Sequence, residues 1–356
     1  MNYTFNDKEI NDFIDTLNIS DLNIKKNIEI VHFYCCLELL KIEYIESRNY
    51  DIEKCDNQLL EKINNLTKDL ILNIDTTNKF IQFYNLFKCI TLFILFSPIL
   101  TILCLLNPFS IYLKKDVNVN YSLISFGRKT LMRIICSWCN INVFWLNEDK
   151  LDENQSQIIL FNHYSYMEPF CIITGKLTQN FIFKKSTYYI PILNILLYLC
   201  KDISIYRENL KSAIGSLHNA KKRLLEGHNV AISPEGRAGN TGLLLDFKKG
   251  PFHLALSTKK PIQPLYVYNS FELFSYFHYF SLPGNIYINV MDKIYPTDND
   301  TVESLMYRTR KIYLKEMLSG KPNIKHNQYN NNFINYFLIP TFYIATYFIL
   351  KNILDI

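Results

Sequence analysis

The sequence predicts an α/β fold, a central sheet flanked by helices, with membrane-embedded helices before and after it. Three observations carry that prediction. Short apolar runs stopped by turn residues recur between positions 158 and 290, as buried strands do. Segments with apolar residues at helical spacing lie between and after them, the alternation of a layered α/β domain. Two uncharged runs of 18 residues, Cys89–Leu106 and Phe333–Leu350, bracket the region.

Residues 1–80 form a helical N-terminal region. Apolar residues recur at helical spacing through Ile10, Phe13, Ile14 and Leu17, and again through Leu59, Leu60, Ile63, Leu66 and Leu70. Residues 81–150 form a membrane-anchoring segment followed by an interfacial amphipathic helix. The run Cys89–Leu106 has Lys88 before it and Lys114 and Lys115 after it. Eighteen helical residues reach roughly 27 Å against a hydrocarbon core of roughly 30 Å. Pro98 and Pro340 lie near the middle of the two runs, so a kinked span or a half-buried hairpin fits as well as a straight crossing. In Arg128–Leu146, a basic amphipathic stretch, Arg128, Lys129 and Arg133 are expected to meet headgroups while Leu131, Ile134 and Trp138 face inward.

Residues 151–320 form the α/β domain. Its expected strands are 158–161, 203–206, 229–232, 262–267 and 286–290, and its expected helices are 210–226 and 301–318. Residues 321–332 are a polar linker, and residues 333–356 a C-terminal membrane helix.

Composition narrows the function. A hydrophobic share of 49% excludes disordered and collagen-like chains. A net charge of +5 over 38 basic and 33 acidic residues is no nucleic-acid signature and suits a mild attraction to anionic lipid, so no nucleic-acid partner is expected. Nine cysteines without a dense block read as reduced thiols facing the cytosol, and residues 1–30 do not read as a secretory signal. Cys136 and Cys139 form a C-x-x-C without a second pair, so no metal site is expected there.

Two constellations carry chemistry. In Asn162-His163-Tyr164-Ser165-Tyr166-Met167-Glu168-Pro169 a histidine follows a strand, and a carboxylate five residues on precedes a helix-starting proline. A carboxylate folding back on the imidazole would orient a general base. Taken alone, such a pair also reads as structural. In Ser233-Pro234-Glu235-Gly236-Arg237-Ala238-Gly239-Asn240, continuing to Phe247-Lys248-Lys249-Gly250, glycines free the backbone to approach a ligand and cations can neutralise phosphate. A turn with a solvated basic face is the plain alternative.

In this order the blocks resemble the glycerophospholipid acyltransferases, above all the 1-acylglycerol-3-phosphate acyltransferases. Asn162-His163 with Glu168 is similar to the family's Asn-His-x4-Asp. Ile203-Ser204-Ile205-Tyr206-Arg207 resembles its strand ending in Arg, Ser233-Pro234-Glu235-Gly236 its Pro-Glu-Gly block, and Pro261-Ile262-Gln263-Pro264 its Pro-Ile-x-Pro strand. His163 and Glu235 are 72 residues apart, a spacing the family also shows. The pattern is departed from in three places: Glu168 stands for Asp, Arg237-Ala238 for Thr-Arg, and Tyr206 for the Asp before Arg207.

The resemblance implies a membrane-bound O-acyltransferase with an acyltransferase-type central sheet. The donor would be acyl-CoA and the acceptor a lysophospholipid or other glycerolipid, most directly 1-acylglycerol-3-phosphate giving phosphatidate. His163 would be the base and Glu168 its partner. Arg207, Glu235 and Gly236 would hold the acceptor's phosphate, with Arg237 and Lys248 as further contacts. No cofactor or metal is implied beyond acyl-CoA as co-substrate. The lipid bilayer is a partner, and the expected location is the endoplasmic reticulum membrane with the domain facing the cytosol. The alternatives are acylation of another lysophospholipid or of diacylglycerol, and a non-catalytic relative that binds lipid or acyl-CoA.

Overall fold

The computed structural model describes residues 27–74, 76–91, 94, 123–189, 193–206, 210–278 and 280–321, with Ile10, Asp12 and Ile14. Seven strands make one sheet: β1 Ile141–Leu146, β2 Ile158–Phe161, β3 Gln179–Lys184, β4 Ile203–Ile205, β5 Asn229–Ile232, β6 Ile262–Tyr268 and β7 Gly284–Val290. Their order across the sheet is β1-β7-β6-β2-β5-β3-β4. All neighbours are parallel except β6 and β7, so β1 and β7 run against the other five.

Helices cover both faces. In β2, Ile158 and Leu160 point into one apolar layer while Ile159 and Phe161 point into the other, the two-residue period of a strand buried on both sides. The first layer is closed by α1 Asn27–Ser47, α7 Leu210–Leu225, α8 Gly250–Thr258 and α10 Val302–Ser319. The second is closed by α4 Leu123–Trp138 and α5 Glu168–Ile173. A satellite core forms where Leu37, Tyr44 and Ile45 of α1 meet Leu59 and Ile63 of α2 Asn57–Lys68. Helix α3 spans residues 79–91. Two short helices complete the described elements used here: α6 Leu193–Leu199 before β4, and α9 Ser270–Phe274 after β6.

Local signals place several of these boundaries. Asp56 caps α2 by accepting from Gln58 N, and Thr301 with Ser304 forms a reciprocal capping box at the start of α10. Pro169 sits in the first turn of α5, where its missing N–H costs nothing.

The structure departs from the sequence reading in three places. The stretch Arg128–Leu146 is no single amphipathic helix: α4 ends at Trp138, and Ile141–Leu146 becomes the edge strand β1. The sheet therefore begins before residue 151. Strand β3 was not expected, because its polar start, Gln179-Asn180, hides it. The cations of α4 meet protein: Arg133 donates to the Thr174 carbonyl at the carboxyl end of α5, Lys129 donates to Lys176 O, and Arg128 is buried.

The run Phe333–Leu350 and most of Cys89–Leu106 lie outside the described residues. Among the described residues, no helix is long and apolar enough to cross a membrane.

Candidate active site

Strands β2 and β5 are neighbours with Ile158 opposite Val230, so their carboxyl ends carry the two motifs side by side. Where β2 stops, Asn162 takes over the ladder: its Oδ1 accepts from Val267 N at 2.7 Å and its Nδ2 donates to Val267 O at 3.0 Å. This pins the chain one residue before His163. The next backbone groups are held by the second motif. His163 N–H donates to Glu235 Oε1 at 2.7 Å, and His163 C=O accepts from Gly239 N–H at 2.7 Å.

Glu168 is fully buried, and its carboxylate folds back over the turn that precedes it. Tyr164 N–H donates to Oε1 at 2.9 Å and Ser165 N–H to Oε2 at 3.0 Å. Ser270 Oγ, from α9, donates to Oε1 at 2.6 Å, and His163 Nδ1 lies 3.1 Å from Oε2. With three donors already on this carboxylate, we assign the Nδ1 proton to the histidine. Nε2 then carries the lone pair, and among the described residues no group reaches it. An imidazole with Nδ1–H on a buried carboxylate and Nε2 open can accept a proton, and the carboxylate stabilises the cation that results.

Glu235 is buried too, and both its oxygens are taken, Oε1 by His163 N–H and Oε2 by Leu245 N–H at 2.8 Å. Burial pushes its carboxyl up to about 8, against the pull of those backbone donors and of Arg310. The geometry makes it a brace between two loops rather than an open ligand group. Gly236 has φ +74°, and a Cβ there would stand 3.3 Å from the Lys248 side chain. Only glycine adopts that conformation without strain. Lys248 N–H closes the loop on Pro234 O at 2.7 Å, while its side chain lies outside the cavity lining. Arg237 does line the cavity. Arg207 lies outside the described residues.

His163, Gly236 and Arg237 open on a cavity of about 870 Å³. Residues Phe181 to Lys184 of β3 all line it, so it runs along that strand. Its wall is mostly apolar, with Phe161, Phe170, Ile173 and Ile205 among its members. A buried ion pair, unsignalled in the sequence, interrupts that wall. Arg128 Nη1 lies 3.1 Å from Asp202 Oδ2, and its Nη2 donates to Gln179 O at 2.7 Å. Asp202 Oδ1 also accepts from Phe181 N–H at 2.8 Å. Burial pushes the Asp202 carboxyl up to about 6 against the attraction of Arg128. Strand register puts Asp202 beside Phe181 and level with Ile159, four residues before His163 and hence about 13 Å back along the strand direction. Ser270 was also missed, since nothing local links it to a carboxylate 102 residues earlier. Among the described residues no cluster of His, Cys, Asp or Glu is arranged to hold a metal ion.

Residues 142–268 match the family model described as Acyltransferase. A 1-acyl-sn-glycerol-3-phosphate acyltransferase of Borreliella burgdorferi is 30% identical over 151 residues, 42% of this chain and 60% of the relative. The 1-acyl-sn-glycerol-3-phosphate acyltransferase beta of Homo sapiens is 29% identical over 157 residues, 43% of this chain and 55% of that protein. The chain thus spans less than two thirds of the length of these curated relatives. The crystal structure of the 1-acyl-sn-glycerophosphate (LPA) acyltransferase PlsC from Thermotoga maritima superposes with a TM-score of 0.57 at 17% identity. It covers 68% of this chain and 99% of that one, and shows a shared fold.

Proposed function

We propose, from the acyltransferase-family domain at residues 142–268, that this chain moves a fatty acyl group from acyl-CoA to the free hydroxyl of a lysophospholipid. The first acceptor to test is 1-acylglycerol-3-phosphate, which would give phosphatidate. The observation that carries the reading is the His163–Glu168 pair at 3.1 Å with its Nε2 open to a largely apolar cavity. An alcohol attacks a thioester poorly unless its proton leaves as the new bond forms. Nε2 of His163 takes that proton while the hydroxyl oxygen bonds to the acyl carbon. The C–S bond then breaks, and the imidazolium returns the proton to the departing CoA thiolate, leaving an ester and a free thiol. Glu168 holds the ring and offsets the imidazolium charge. Arg237 and Lys184, both on the cavity wall, supply positive charge for phosphate, Arg207 is assigned the same role by its motif alone, and the apolar wall suits an acyl chain.

A seat on the membrane belongs to the same proposal, because both substrates carry chains that prefer the bilayer. On α3, Phe80, Phe83, Tyr84 and Phe87 are exposed at spacings of three and four, one aromatic stripe on one helix face. The apolar runs Cys89–Leu106 and Phe333–Leu350 suit insertion. We place the site on the cytosolic side of the endoplasmic reticulum, where acyl-CoA would reach it.

The test gives membranes expressing the full chain labelled oleoyl-CoA and a panel of lysophosphatidate, other lysophospholipids, glycerol-3-phosphate and diacylglycerol. A labelled ester from one acceptor, with matching release of thiol, identifies the acceptor. No ester from any of them, with folded protein in the membrane, would shift the reading to a lipid- or acyl-CoA-binding protein.

A further inference from the structure

We propose that Arg310, gripped by Tyr34 and Glu38 of the N-terminal helix α1, is a positioning residue for His163, acting through the 243–246 loop and Glu235. The inference rests on His163 being the reacting base. The chain of contacts is continuous. On α10, Arg310 Nη1 donates to Leu245 O, and its Nη2 donates to Tyr34 Oη at 3.0 Å and Glu38 Oε2 at 2.9 Å. Tyr34 Oη itself donates to the adjacent carbonyl, Leu244 O. Two consecutive carbonyls are thereby fixed from the side of α1 and α10. On its other side the same loop donates Leu245 N–H to Glu235 Oε2 at 2.8 Å, and Oε1 of that carboxyl group takes His163 N–H at 2.7 Å. Gly239, four residues after Glu235, holds His163 C=O. Both backbone groups of the histidine are thus tied to residues 235–239, and that segment is tied to Arg310.

A plain packing role does not account for the choice of residues. Arg310 and Glu38 are both buried, and burying an ion pair to join two helices costs desolvation that apolar residues of similar volume avoid. A guanidinium adds direction, because its fork meets Leu245 O, Tyr34 and Glu38 at once while its face lies over the Phe247 ring at 5.3 Å. Neither α1 nor Arg310 falls within residues 142–268, so the clamp reaches the site from outside the matched domain.

The test uses the full chain with Arg310→Lys, Tyr34→Phe, Glu38→Ala and Glu38→Gln. Lys311→Ala is the control, since Lys311 joins the same two helices through Glu43 and Glu46 without touching the loop. The first readout is the rate at which diethyl pyrocarbonate modifies His163, followed by mass spectrometry with exposed His218 as internal reference. The second is kcat and KM for acyl transfer. R310K and Y34F, in protein with native circular dichroism, are expected to change the His163 rate severalfold and leave His218 unaltered. They should also lower kcat by about tenfold or more with KM nearly constant, as misplacing a reacting group does. E38Q keeps an oxygen for the guanidinium and is expected to recover most of what E38A loses. Wild-type His163 modification in folded R310K and Y34F would overturn the proposal, as would equal losses in K311A. If wild type itself transfers no acyl group, the functional reading fails, and the modification rates alone still decide whether the clamp sets His163.

Discussion

Glu168 carries the strongest local prediction, because four donors converge on one buried carboxylate. Replacing it with alanine strands the N–H groups of Tyr164 and Ser165 and the Ser270 hydroxyl. Glu168→Ala should therefore cost about 3 kcal/mol in denaturant unfolding, whereas Ser270→Ala, which removes one bond to a charged acceptor, should cost about 1.5 kcal/mol. Glu168→Gln keeps the shape and removes the charge that steadies an imidazolium, so its kcat should fall by about a hundredfold or more while acyl-CoA binding persists. Glu235 makes a separate prediction about pH. Its native carboxyl is raised from 4.5 to about 8, so between those values the native state holds a proton that the unfolded chain has released. Stability from this group is then full below pH 4.5, falls as pH rises through about 8, and changes no further above it. Thermal melts of wild type and Glu235→Gln across that window should show a shallower decline in the variant, and parallel curves would contradict the assignment.

At the scale of elements, what the sequence disclosed follows burial. Strands β2 and β5 are closed in by neighbours and helices, so β2 reads as an unbroken apolar run and β5 as an apolar run after its single polar residue, Asn229. Strand β3 begins with Gln179 and Asn180, buried amides whose nitrogens donate to backbone carbonyls, Asn180 to Cys200 O at 2.7 Å, while their side-chain oxygens are left without a partner. No single-sequence pattern marks such a buried amide as strand. Strand β1 follows α4 after two residues, and its mixture of Asn142, Val143 and Trp145 blends into the helical period before it. The His163–Glu168 pair is legible because its members lie five positions apart in the chain; Ser270, Arg128–Asp202 and Arg310 are not, because folding alone brings them to the site. The Arg128–Asp202 pair ties α4 to the starts of β3 and β4. Asp202→Asn leaves the buried guanidinium without its counter-charge, and we expect a loss of about 3 kcal/mol in unfolding free energy. A loss below about 1 kcal/mol would mean that the pair is solvated.

For the whole molecule, the sheet sets the plan. The carboxyl ends of β2 and β5 present His163 and residues 233–237, the cavity runs along β3, and the N-terminal helix reaches round to brace the histidine. The exposed aromatic stripe on α3 gives the proposed membrane seat a test that needs no catalysis. The triple variant Phe80→Ser, Phe83→Ser, Phe87→Ser should sediment less with phosphatidylcholine–phosphatidylserine vesicles than wild type, each ring contributing about 1.5 kcal/mol if buried in lipid. Unchanged sedimentation would leave the attachment to the apolar runs alone.

In the proposed reaction His163 removes the acceptor's proton as its oxygen attacks the thioester. The measurement that tests it most directly is thiol release from oleoyl-CoA with the preferred lysophospholipid, comparing purified wild type with His163→Ala of matched circular dichroism. A fall in kcat of about a thousandfold with little change in KM is the predicted result, since general-base groups contribute about that much. Transfer by His163→Ala at close to the wild-type rate would contradict the account and place the base elsewhere in the cavity.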